Sequence, residues 1–96
     1  MKCGSRITTS WLRLGRAVIH MDVLCNVKPS ELTFGLERHA MGDWGVLPEV
    51  IKNCNEFNLL RKKMIVSRFA VASAAFIYIV TDVKRSRTAV MLELMH

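Results

Sequence analysis

His39, Asp43 and Trp44 stand close together in the segment RHAMGDWG, residues 38–45. A histidine and a carboxylate at that spacing can pass a proton, the elementary step of general acid–base catalysis. The same residues also have purely structural uses. Asp43 can accept hydrogen bonds from backbone N–H groups of a turn. Trp44 can close a core while its indole N–H finds a carbonyl, and His39 can hydrogen-bond across the turn. No serine or cysteine with a nucleophile signature flanks them, so the structural use is favoured and no enzymatic activity is expected. Cys25, His39 and Cys54 match no spacing of metal ligands. Buried thiols are the simpler expectation, with Cys54 on an apolar helix stripe, and no metal or other cofactor is predicted. Gly42 and Gly45 bracket an aspartate that would repel phosphate, so this turn is not a phosphate loop.

Charge is the more informative chemistry. Fourteen Lys and Arg against eight Asp and Glu give a net charge of +6. The excess sits at the two ends of the chain. Residues 1–20 carry Lys2, Arg6, Arg13 and Arg16 and no acid, while six acids outweigh Lys28, Arg38 and Lys52 in residues 21–56. Two basic clusters follow: Arg61, Lys62, Lys63 and Arg68, then Lys84, Arg85 and Arg87. If the chain from Met64 to Leu92 is a meander of strands, both clusters fall at the same end of the sheet and form one basic rim. Such a rim suits phosphate or an acidic protein face, although charge on a small protein also serves solubility. Phosphate contact would be salt-sensitive and indifferent to sequence. Only Phe69 and Tyr78 lie nearby, and Tyr78 is expected to be packed, so stacking on single-stranded bases is not predicted. The predicted contact surface is this rim together with the Asp43–Trp44 turn.

The elements that position these residues are legible in outline. Leu14 to His20 reads as a strand, and Met21 to Val27 as a brief helical turn. Pro29 marks a helix start, and a helix is predicted over residues 30–41 with Leu32, Leu36 and His39 or Ala40 on its apolar face. Gly35 inside it costs about 1 kcal/mol relative to Ala, so the helix needs tertiary support. A second helix is predicted over 48–60, with an apolar stripe of Leu47, Val50, Ile51, Cys54 and Phe57. Strands follow at 64–71, 76–80 and 88–92, joined by a small-residue turn and the charged loop 82–87. The strand Phe76–Val80 is predicted to be covered on both faces. The fold class is therefore α+β, with two short helices packed on a small antiparallel sheet of three to four strands, the first strand adding at an edge.

The chain of 96 residues suffices for one domain. Residues 1–13 read as a flexible lead-in and 14–96 as the domain. The longest apolar stretch, Phe69 to Val80, is interrupted only by Ser73 and is too short for a membrane helix, which needs about 20 residues. Three cysteines without a CxxC pair fit a reducing, cytoplasmic compartment.

These residues resemble a family of small proteins carried on bacterial plasmids, integrative elements and phages. The resemblance rests on Leu14–Gly15–x–x–Val18, Arg38–His39–x–x–Gly42–Asp43–Trp44–Gly45, Asn55–x–x–x–Leu59, Ser67–x–Phe69 and Ile77–Tyr78–Ile79–Val80–Thr81–Asp82–x–x–Arg85–Ser86–x–Thr88. It covers about residues 14–92. The family pattern reads RHxxGDWG, ILSxY and IWIITEADRSxTTILLP. Lys84 stands where that pattern has an acid, and Glu93 where it has a proline, so the last loop is more basic here. The family's glycine after the second helix has no counterpart from Leu60 to Lys63. The resemblance implies a mobile-element context. It carries no mechanism, but small proteins of such elements often disable host defences such as CRISPR complexes. The expectation is a non-enzymatic protein that binds a host protein or ribonucleoprotein complex, with direct nucleic-acid binding through the rim as the alternative.

Overall fold

The computed structural model describes residues 12–72 and 75–94. Seven elements follow in order: β1 (Arg16–Ile19), α1 (Met21–Asn26), α2 (Pro29–Ala40), α3 (Glu49–Arg61), β2 (Ile65–Val71), β3 (Ala75–Thr81) and β4 (Arg87–Leu94). The α+β class holds. The four strands form one sheet in the order β1-β4-β3-β2. β2, β3 and β4 are the antiparallel meander expected from their short connections. β1 does add at the edge, but parallel to β4, with Arg16 opposite Arg87 and Ile19 opposite Val90. The sheet is thus mixed. The helical crossover from β1 through α1, α2 and α3 supplies the long connection that a parallel pair requires.

The inner sheet face carries the core. Val23, Val27, Phe69, Ile77, Ile79 and Val90 are buried together, with Leu32 and Leu36 of α2 packed on them. Gly35 has its tertiary reason: a Cβ there would lie 3.2 Å from Ile77 Cδ1 and 3.3 Å from Ile79 Cδ1, so glycine lets α2 approach the sheet closely. A second cluster joins Leu12, Trp44 and Ile65. Leu12 is buried and donates its N–H to the Ala40 carbonyl at 3.2 Å. The domain therefore begins earlier than the lead-in expected over residues 1–13 allows, and the rest of that lead-in, residues 1–11, lies outside the described residues.

Two expectations are overturned. α3 is rotated from its predicted stripe: Val50, Cys54 and Phe57 are exposed, while Asn55 is its buried residue. The reason is polar. The Asn55 amide donates to the Val66 carbonyl at 2.6 Å and accepts from the Val66 N–H at 3.2 Å, acting as a neighbouring strand would. That pair satisfies backbone groups an edge strand would leave open, and it outweighs burial of the outer apolar residues. Cys25 is exposed as well, so neither thiol is the buried one expected. The second correction concerns β3, whose alternate residues Phe76, Tyr78 and Val80 are only half-buried. They face away from the helices, so one face of the strand is uncovered. Among the described residues no helix is long and apolar enough to cross a membrane.

Candidate functional site: a basic rim at one end of the sheet

The structure brings most of the predicted rim together. α3 is capped by Lys62, whose left-handed φ of 57° turns the chain toward β2. The β3–β4 connection closes beside it. Asp82 organises that loop: its carboxylate accepts from the Ser86 N–H at 2.9 Å, the Ser86 hydroxyl at 2.9 Å and the Arg87 N–H at 3.3 Å. Desolvation works against the ionised form, but these bonds and the Arg87 charge prevail and hold the Asp82 carboxyl below its usual range. Arg85 bridges the two loops. Its guanidinium donates to the carbonyls of Lys63 at 2.6 Å, Asp82 at 2.8 Å and Asn58 at 3.4 Å. Burial lowers the Arg85 pKa from its ordinary value, although Asp82 opposes the shift.

Lys62, Lys63, Arg61, Lys84 and Arg87 are exposed around this bridge. Arg16 joins them: its N–H donates to the Ser86 carbonyl at 2.9 Å, and it is exposed opposite Arg87. Sequence reasoning missed Arg16 because nothing local shows that β1 runs parallel to β4. The available signal was the acid-free, basic run at the start of the chain. Like charges on neighbouring strands repel unless an anion or solvent lies between them, which makes the Arg16–Arg87 pair the most anion-seeking point of the rim.

Three predicted site residues lie elsewhere. Arg68 is not at the start of β2 but at its middle, on the open sheet face. It binds Glu93 at 3.1 Å, and its guanidinium lies 3.5 Å from the centre of the Phe76 ring. Its charge is neutralised, so it leaves the rim. Asp43 lies beside the edge of β2, paired with Arg38 at 2.7 Å and accepting from the Gly45 N–H at 3.0 Å. Burial raises its pKa, but the Arg38 bond, the Gly45 N–H and nearby cations outweigh that and leave it lowered. Trp44 is buried, and its indole N–H donates to the Glu56 carboxylate at 2.7 Å, not to a carbonyl. Trp44 is buried and offers no contact surface, and Asp43, though exposed, sits in the turn held against Arg68 at the middle of β2, so this turn is a strut beside the sheet and not part of the rim.

His39 and Asp43 form no acid–base pair, since Arg38 and Gly45 take the carboxylate. His39 is fully buried against the inner sheet face, not bonded across the turn. Its Nδ1 lies 2.5 Å from the Ser67 hydroxyl and its Nε2 2.8 Å from the Thr81 hydroxyl. Thr81 meets Thr88 at 2.8 Å, and Thr88 donates to the Leu14 carbonyl at 2.7 Å. The carbonyl end fixes the direction of every proton. Thr88 donates to Leu14, so Thr81 donates to Thr88, Nε2–H donates to Thr81, and Nδ1 accepts from Ser67. A neutral imidazole completes this chain. Burial, reinforced by the positive charge of Arg85, lowers the His39 pKa from 6.5 to about 4. The arrangement links α2 to three strands and leaves no ring nitrogen free for a substrate or a metal.

Arg85→Ala separates the bridge from the exposed charges. It should lower stability by about 1–3 kcal/mol, because three carbonyls lose a charged donor. Thermal unfolding measures this, and an unchanged midpoint would mean that the two loops hold together without the guanidinium.

No known family model, curated protein or solved structure matches this chain.

Proposed function

We propose that this chain is a non-enzymatic interaction protein that docks through its basic rim on an anionic surface of a host nucleic-acid-handling complex, in the cytoplasm of a bacterium carrying a mobile element. The mobile-element and defence-complex context comes from the sequence resemblance. The docking surface has its own support: six exposed cations, Arg16, Arg61, Lys62, Lys63, Lys84 and Arg87, converge on one end of the sheet. The carboxylate among them, Asp82, is taken up by its own loop. A surface of one sign raises the association rate with an oppositely charged partner and is weakened by salt.

The test is charge reversal at rim residues that carry no structural bond. Lys84→Glu with Arg87→Glu should reduce co-purification of host complexes with the tagged chain by about tenfold or more at low salt, with unfolding unaffected. Equal recovery of the complexes by the double variant would remove the rim from the contact. A second reading, direct binding of nucleic acid, is favoured specifically by the in-register Arg16–Arg87 pair. Labelled duplex DNA, single-stranded DNA and RNA decide it. About four phosphate contacts would cost roughly a hundredfold in affinity between 50 and 200 mM salt. Absence of binding at the lower salt would leave only the protein-facing reading.

A further inference from the structure

The basic rim does not end at the loops. Strand alternation carries two of its cations onto the outer face of the sheet, where, among the described residues, no helix packs. Arg16 and Arg87 stand opposite each other in register, and both are exposed. Val18, Ala89 and Val80 form the next row along the same face. One row further stands Tyr78 of β3, with Arg68 of β2 opposite it. The Arg68 guanidinium, bound to Glu93 at 3.1 Å, lies 3.5 Å from the centre of the Phe76 ring and 5.7 Å from that of Tyr78. Tyr78 is only half-buried, not packed away as expected. Phe69, the other aromatic expected near the cations, is buried on the inner face, and Phe76 takes its place outside.

We infer that this face binds single-stranded nucleic acid, with phosphate at Arg16 and Arg87 and bases stacked on Tyr78 and on the Arg68 guanidinium. The inference rests on the reading of direct nucleic-acid binding given above and names its form. Two features select the ligand together. The arginine pair favours an anion, because like charges in register on neighbouring strands repel until one is bound. The aromatic row favours flat apolar groups. An unpaired strand carries both, a phosphate backbone and bases whose faces are open to stacking. A duplex has the phosphates but keeps its bases stacked within itself, so it reaches the arginines and gains nothing from Tyr78. An acidic protein face also pairs with the arginines, but it needs side chains shaped to the aromatic row, whereas every base has a π-face. The layout allows one strand to use both ends. Arg87 and Met91, the β4 neighbour of Tyr78, are separated by about 14 Å of strand, a distance of a few nucleotides. Ala89 and the two valines between them keep that floor shallow. Arg68 enters as a plane and not as a charge: Glu93 neutralises it, Phe76 supports it, and guanidinium planes stack bases as aromatic rings do.

Two labelled single strands of about ten nucleotides, one intact and one abasic throughout, test the inference on the full chain at about 50 mM salt. Both carry the same charge, so contact through cations alone treats them alike. The intact strand should bind about tenfold more tightly or better, and more tightly than a duplex of the same length, because stacking adds to phosphate contact. Tyr78→Leu keeps a large apolar side chain on the strand and should remove most of that advantage, while Tyr78→Phe keeps the ring and should retain it. Equal affinity for the intact and abasic strands overturns the inference and leaves phosphate binding by the rim in place. A duplex bound as tightly as the single strand does the same, as does an advantage that a folded Tyr78→Leu protein keeps in full. The abasic comparison uses the unaltered chain, so it decides even where Tyr78→Leu fails to fold. Absence of binding to every strand removes the direct nucleic-acid reading and this inference together.

Discussion

Acidification from pH 6.5 to about 4 is expected to remove about 3 kcal/mol of folding stability through one side chain, His39. The folded pKa is lowered, so the folded state resists the proton that the unfolded chain takes up at its ordinary pKa of 6.5. Between the two values the unfolded state binds more protons, and stability falls as pH falls. Above 6.5 both states are neutral and the penalty is absent. Below about 4 both are protonated and the loss is complete. The cause is burial first and the nearby Arg85 charge second. The hydrogen-bond chain adds a structural reason: a proton on Nδ1 would face a hydroxyl that is already donating to it. Ser67 would have to turn toward the Asp43 carbonyl, a contact of 3.5 Å. Asp43 and Asp82 also destabilise the fold in acid, but their pKa values lie below 3.8, so their losses come at lower pH. Denaturant titrations at a series of pH values measure the slope. His39→Ala should flatten it between 4 and 6.5. The same variant should cost about 3–5 kcal/mol at neutral pH, since it leaves a cavity and takes the imidazole partner from two buried hydroxyls, Ser67 and Thr81. A wild-type stability that stays level across this window would mean that the imidazole accepts a proton in place, and the neutral chain of hydrogen bonds would be wrong.

Much of the architecture was legible because it follows from local pattern. Pro29 starts α2 where its fixed φ requires, and the β-branched and aromatic runs mark β2, β3 and β4. Short connections then force the meander. What was not legible depends on pairings distant in sequence. β1 lies parallel to β4 because a crossover of three helices intervenes, and that brings Arg16 to Arg87 across 71 positions. The single apolar stripe read for α3 put Val50, Cys54 and Phe57 inward, and these face out. A single amide, Asn55, decided the rotation by satisfying a strand edge, and no hydrophobic pattern records such a bond. Arg68 looked like a rim cation because it is three positions from the start of β2 in a basic stretch. Strand alternation turns it onto the open face, where Glu93 of β4 waits. His39 was visible as a chemically capable residue, but its partners Ser67, Thr81 and Thr88 carry no motif that joins them to it.

Gly45→Ala is expected to destabilise the fold by about 3 kcal/mol or more, the second large effect at a single position. β2 is an edge strand, and an open edge is a template for unwanted pairing. This edge is covered by two devices. The Asn55 amide takes both backbone groups of Val66. Next along the strand, Arg68 donates its N–H to the Trp44 carbonyl at 3.1 Å and accepts from the Val46 N–H at 2.6 Å. Gly45 sits at the middle of that second contact with a φ of +73°, a conformation side chains rarely adopt. A Cβ there would lie 2.1 Å from the Arg68 carbonyl oxygen and 2.7 Å from the Phe69 ring. One obstacle is backbone, so no rotamer change relieves it; the strut must pull away from the strand. Arg68 then loses both partners, and Trp44, on the same strut, loses its seat against Leu12 and Ile65. Asn55→Leu attacks the other device without a clash. It leaves the Val66 N–H and carbonyl unpaired, at a cost of about 2–4 kcal/mol. Both variants should also aggregate on heating below the wild-type midpoint, because each frees part of the same edge. Thermal unfolding followed by light scattering reads both effects. A Gly45→Ala protein within about 0.5 kcal/mol of wild type would show that the strut can retreat at no cost, and the edge would then need no cover beyond Asn55.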